Sequence, residues 1–114
     1  MTRPARARAA KPSKDERAVL RLVAQALEGE GPDCDGIGPL LRQTAFLAER
    51  LAQRLGVDLP AMVSERTDKW RKVYGSLALA TDTRDFQREA MEELADCCFY
   101  LSAACIQKER TRAL

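Results

Sequence analysis

Apolar residues recur along this chain at intervals of three and four, the repeat of an α-helix, over most of its length. The first stretch follows Ser13-Lys14-Asp15-Glu16, a Ser with a Glu three positions on, which is the pattern of a capping box. Leu20, Val23, Ala24 and Leu27 then share a face until Gly29 ends the run. A second stretch starts at Pro39, suited to a first helical turn, and carries Leu40, Leu41, Thr44, Leu47, Ala48, Leu51 and Leu55 to a stop at Gly56. Asp58 can cap a third, with Pro60 in its first turn and Met62, Val63, Trp70, Val73 and Tyr74 on related faces up to Gly75. Residues 76–83 read either as an extension of that helix or as a connection, after which Thr81 or Thr83 caps the longest helix, over about 84–110. No run of five or more residues alternates with β-branched side chains as a strand does. The expected fold class is therefore all-α: a small bundle of three to four helices over residues 14–114, behind a flexible basic arm at residues 1–13.

The chain has 114 residues, enough for one domain and its core but not for a multi-domain enzyme. Its 19 basic and 17 acidic residues nearly balance, which excludes a nucleic-acid binder that works through its whole surface. The distribution is uneven. Arg3, Arg6, Arg8, Lys11, Lys14 and Arg17 face only Asp15 and Glu16, a local +4, while the remaining residues carry a net −2. Arginines, alanines and Pro4 and Pro12 in the arm cannot offset the entropy of ordering it. The two prolines also argue against an organellar presequence, and no apolar run is long enough for a signal peptide or a membrane span. A cytoplasmic location and no membrane partner are expected.

Residues 29–38 hold four of the six glycines and read as a loop. The Asp33-Cys34-Asp35-Gly36 fragment hints at calcium, but the later oxygen ligands and closing Glu of an EF-hand are missing, so an Asx-rich turn is the expectation. Cys34, Cys97, Cys98 and Cys105 include no C-x-x-C pair and the chain has no histidine, which leaves structural zinc without its ligands. Reduced, buried thiols are expected instead.

The last helix holds the candidate chemistry. With Glu89 at zero and about 100° per residue, Glu92 falls near about −60°, Glu93 about +40°, Asp96 about −20° and Asp85 about −40°. Five carboxylates thus share a stripe that flanks the apolar face of Phe86, Ala90, Leu94, Cys97, Leu101 and Ala104. Like charges at this spacing repel, and Arg88 points away from them. A hard divalent cation would relieve such a stripe, whereas a merely solvated face, or arginines from another helix or subunit, would leave it without chemistry.

The segment Glu92-Glu93-Leu94-Ala95-Asp96-Cys97-Cys98-Phe99-Tyr100-Leu101 resembles the E-E-L-A-D-x-x-x-Y-L segment of the MazG-like all-α nucleoside triphosphate pyrophosphohydrolases, with Glu93 and Asp96 as its E-x-x-D motif. The resemblance covers about 20 residues. It implies a helical homo-oligomer, dimer or tetramer, in which acidic side chains hold Mg2+ and a nucleoside triphosphate is hydrolysed to monophosphate and pyrophosphate. On that basis Glu89, Glu93 and Asp96 are metal candidates, and Glu92 and Glu93 are catalytic candidates. The family's upstream E-E-x-x-E motif is absent. Glu65 and Asp68, two acids at helical spacing, are the nearest substitute and complete the metal set only if the third helix runs antiparallel to the last; otherwise the chain is a degenerate relative.

Lys69, Arg71 and Lys72 surround Trp70 in sequence, so Lys69, Trp70 and Lys72 are candidates for triphosphate and base contacts, although the stronger reading assigns Trp70 and Val73 to the core with the basic residues solvated around them. Without a Cys–His pair, a Ser–His–Asp set or a glycine-rich phosphate loop, metal-assisted hydrolysis is the one enzymatic route the residues offer. The alternative is a non-catalytic helical interaction module, such as an accessory protein of a phage or mobile element, whose basic arm makes weak contact with nucleic acid or an acidic partner.

Overall fold

The computed structural model describes residues 11–113, so the expected arm falls largely outside the described residues. The described residues form four helices: α1 (Lys14–Leu27), α2 (Ile37–Leu55), α3 (Leu59–Tyr74) and α4 (Phe86–Ala113). No strand occurs among the described residues, and the fold is all-α as the periodicity indicates. The chain divides into two units, Met1–Thr81 and Asp82–Leu114.

In the first unit the helix ends lie where local chemistry places them. The Ser13 side chain accepts from the Glu16 N–H at 3.1 Å, which supplies half of the capping box. The other half is not made, because the Glu16 carboxylate turns inward toward α3. Asp58 Oδ1 accepts from the Ala61 N–H at 3.1 Å, and Pro60 occupies the first turn of α3. Gly56 ends α2 with a φ of 67°, a left-handed conformation that spares a side chain the steric cost.

α1 and α2 pack together, and α3 meets α2 more lightly. The buried apolar residues are all alanines: Ala26 on α1, Ala45 and Ala52 on α2. Larger neighbours such as Leu22, Leu41 and Leu51 are half-buried around them. This corrects part of the expected core. Leu40, Leu47, Leu55, Met62, Trp70, Val73 and Tyr74 are exposed, because a helix covered on one side by a neighbour leaves its other apolar positions open.

The glycine-rich loop is an Asx turn, as expected: Asp33 Oδ2 accepts from the Gly36 N–H at 2.9 Å. Cys34 and Asp35 adopt left-handed φ values of 48° and 57° to complete it. Gly38 is buried beneath the loop, and its N–H donates to the Asp33 carbonyl at 2.7 Å. A β-carbon there would overlap the Pro32 carbonyl oxygen.

Residues 76–83 form a connection. The start of α1 holds it: Ser13 Oγ donates to the Leu77 carbonyl at 2.7 Å, and the Leu79 N–H donates to Asp15 Oδ2 at 2.8 Å. Ser13 also belonged to the expected arm, and so did Pro12, whose carbonyl accepts from Arg17 Nη1 at 2.8 Å.

The second unit is α4 and the residues that lead into it. Asp85 caps this helix, not Thr81 or Thr83: its Oδ1 accepts from the Arg88 N–H at 3.1 Å and its carbonyl from the Glu89 N–H at 3.0 Å. Thr81 instead bonds back to the Ala78 carbonyl. None of the 28 residues of α4 is buried. The cysteines are free, and the expected burial is corrected: Cys34, Cys98 and Cys105 are exposed and Cys97 is partly so.

Candidate functional site

Helix α4 sets four of the candidate carboxylates, Glu89, Glu92, Glu93 and Asp96, on one stripe by its 3.6-residue turn. Asp85, the fifth acid of the sequence pattern, is taken by the cap described above. Glu89, Glu92, Glu93 and Asp96 are all exposed, and none forms an ion pair among the described residues. The cations of the same unit are placed elsewhere. Arg84 binds Asp82 through Nη2 at 2.7 Å and lies 4.9 Å from the centre of the Phe86 ring. Arg112 lies 3.8 Å from Glu109.

Arg84 strongly perturbs Asp82. Its guanidinium donates to both carboxylate oxygens and its backbone N–H to one of them, and these bonds lower the Asp82 pKa from 3.8 to about 2.

On α3, Glu65 is exposed and Asp68 is engaged. Arg71 donates from Nη2 to Asp68 Oδ1 and from Nη1 to Glu16 Oε2, each at 2.6 Å. Arg71 and Glu16 are buried, while the Asp68 side chain is 54% exposed. Burial works against the Arg71 charge, but the hydrogen bond to Asp68 and the charges of Glu16 and Asp68 outweigh it and hold its pKa above the ordinary value. Its Nε is buried without a hydrogen-bond partner among the described residues.

The basic cluster around Trp70 is arranged differently from its order in sequence. Lys69 and Lys72 are exposed and Arg71 turns into the fold. Trp70 is 56% exposed, which corrects its assignment to the core and leaves its ring accessible. The cation over that ring is Arg66, with Cζ 5.9 Å from the centroid, a residue the sequence reading passed over although it lies four positions before Trp70 on the helix. Glu16 was missed as well, since its capping-box position concealed a long-range role.

Glu65 and Asp68 belong to the first unit and the α4 carboxylates to the second. Among the described residues no group of three or more Asp, Glu or Cys side chains gathers to hold a metal ion. A magnesium ion does not need such a cage. It commonly takes one or two carboxylates and completes its six oxygens with water and substrate phosphate. No family model, no curated protein and no solved structure matches the chain.

Proposed function

We propose that the protein is a MazG-like nucleotide pyrophosphohydrolase, or a nucleotide-binding relative of one, that uses Mg2+ on a nucleoside triphosphate. What supports this reading is the α4 stripe itself: four carboxylates on successive turns, exposed and without a cation among the described residues. Mutual repulsion at i, i+3 and i, i+4 costs a few tenths of a kcal/mol per pair, about what a solvated helix surface usually gains from alternating charge.

Glu93 and Asp96 would hold the metal, with Glu89 beside them. When bound, Mg2+ polarises the phosphoryl oxygens and makes water more acidic. Glu92, the carboxylate not committed to the metal, would take the proton of the water that attacks the α-phosphorus, and the bond to the bridging oxygen would break to release pyrophosphate. A cytoplasmic location belongs to the same reading. The test is magnesium-dependent pyrophosphate release across a panel of nucleoside triphosphates. Glu93→Gln and Asp96→Asn should each lower it by about 100-fold or more with the helical circular dichroism retained. Equal turnover in both variants removes the proposal.

A second reading, the non-catalytic helical interaction module, is favoured by one observation: α4 buries none of its residues although Phe99, Tyr100, Met91 and Ile106 are large and apolar. Here the basic arm adds weak, salt-dependent contact with nucleic acid or an acidic partner. Deleting the arm discriminates between the readings, since it should leave triphosphate turnover intact under the first and sharply lower polyanion binding under the second.

A further inference from the structure

Phe46, Trp70 and Tyr74 are the three aromatic residues of the first unit, and all are exposed, at 66%, 56% and 69%, while its buried apolar residues are alanines. This inverts the ordinary partition, in which aromatic rings supply much of the area a core buries. Two of the rings share a local arrangement. Arg50 places Cζ 5.9 Å from the Phe46 ring centre on α2, and Arg66 lies at the same distance from that of Trp70 on α3, each cation one turn from its ring.

The surroundings of both rings are basic or neutral. With Arg50 at zero, Gln43, Phe46, Gln53 and Arg54 fall at about +20°, −40°, −60° and +40°, an exposed band on the side of α2 away from buried Ala45 and Ala52. Glu49 is the one acid of α2, half-buried and about 100° from Arg50. On α3, Arg66 and Lys69 lie within about 100° of Trp70, whereas Glu65 and Asp68 are turned about 140° or more away. Arg50, Arg54, Arg66 and Lys69 form no ion pair among the described residues. A merely solvated helix face gains from alternating charge, and these two faces do not alternate.

We propose that α2 and α3 carry a binding surface for single-stranded nucleic acid, with bases stacked on Phe46 and Trp70 and phosphates held by Arg50, Arg54, Arg66 and Lys69. The chemistry selects this partner over three others. A duplex keeps its base faces stacked inside and gives the rings nothing to meet. An acidic peptide satisfies the cations and leaves the rings unused. A mononucleotide brings one base to two rings. An unpaired strand supplies bases and phosphates in repetition, and it bends to follow a helical surface. Gln43 and Gln53 add amides that can bond to sugar and phosphate oxygens. The first unit holds 14 basic against 10 acidic residues, so its field draws a polyanion. No metal takes part, and the surface is independent of the α4 carboxylates and of the hydrolytic reading.

The experiment uses the full chain and an oligothymidylate of about 15 nucleotides in EDTA, a length at the upper end of single-strand site sizes. Trp70 is the only tryptophan, so its fluorescence reports contact with a base directly. The oligonucleotide should quench it, and an abasic strand of equal length should bind more weakly and leave it unquenched. Phe46→Leu keeps the apolar bulk and removes the ring, and it should weaken binding by about 5-fold or more. The double variant Arg50→Gln, Arg54→Gln should flatten the slope of log affinity against log salt by about 1.4, since each phosphate contact on a single strand contributes about 0.7. The basic arm is intact in every variant, so attachment through the arm alone predicts no change in any of them. Unquenched Trp70 overturns the proposal, as does unchanged affinity in a helical Phe46→Leu. So does an abasic strand, a duplex or polyglutamate that binds as tightly, or thymidine triphosphate that displaces the strand at equal phosphate concentration. If Phe46→Leu loses its helix, the quenching and the abasic strand decide alone.

Discussion

Arg71 is one of four cations on α3, with Arg66, Lys69 and Lys72, and it alone is buried. Its Glu16 partner lies 55 positions away, and neither residue is exposed enough for water to replace the other. Removing one member of a buried pair leaves an uncompensated charge, so Arg71→Met should cost about 3–5 kcal/mol in chemical denaturation. Asp68→Ala should cost under about 1 kcal/mol, because that carboxylate is half-exposed and screened. If Glu16→Met restores much of the stability lost in Arg71→Met, the cost is confirmed as that of an orphaned charge. A second residue-scale expectation concerns Asp82. Its carboxyl titrates near 2 in the folded chain, below its ordinary 3.8, so the stabilisation from Arg84 is complete above the ordinary value and is lost as the pH falls through 2. A carboxyl-detected NMR titration should show this midpoint, and Arg84→Gln should return it toward 3.8. An unchanged midpoint in the variant would refute the assignment to Arg84.

At the scale of elements, the helices were legible because their ends are decided locally. Ser13, Asp58, Gly56 and Gly75 each end or begin a helix through bonds to residues three or four positions away. The start of α4 was less legible, since Thr81, Thr83 and Asp85 offer three acceptors within five positions and only the orientation of the chain selects Asp85. Asp85→Ala should cost about 0.5–2 kcal/mol, visible as faster hydrogen exchange in the first turn of α4 at Arg88 and Glu89. Gly38 gives the sharper case. Its conformation is an ordinary helical one, yet a methyl group there meets the backbone of Pro32, which cannot rotate away as a side chain would. Gly38→Ala should lower stability by about 1–3 kcal/mol, a fall of several degrees in the melting temperature, while Gly29→Ala meets nothing in space and pays only for its positive φ.

For the whole molecule, the sequence showed which faces are apolar but not which of them are covered. Trp70, Val73 and Leu55 carry the spacing of core residues and remain exposed, because periodicity describes a helix and burial depends on its neighbours. Glu89, Glu92, Glu93 and Asp96 lie on α4, whereas the burial of Arg71 was hidden because its Glu16 partner lies 55 positions away in sequence. The double hold that Ser13 and Asp15 keep on Leu77 and Leu79 has a practical bearing on where this chain can be cut. A protease that trims as far as residue 12 would spare both tethers, but one residue more would release the end of α1 and unfasten a segment more than sixty positions downstream. Limited digestion should therefore stall before Ser13, and Ser13→Ala should open a second cleavage site between Gly75 and Thr81.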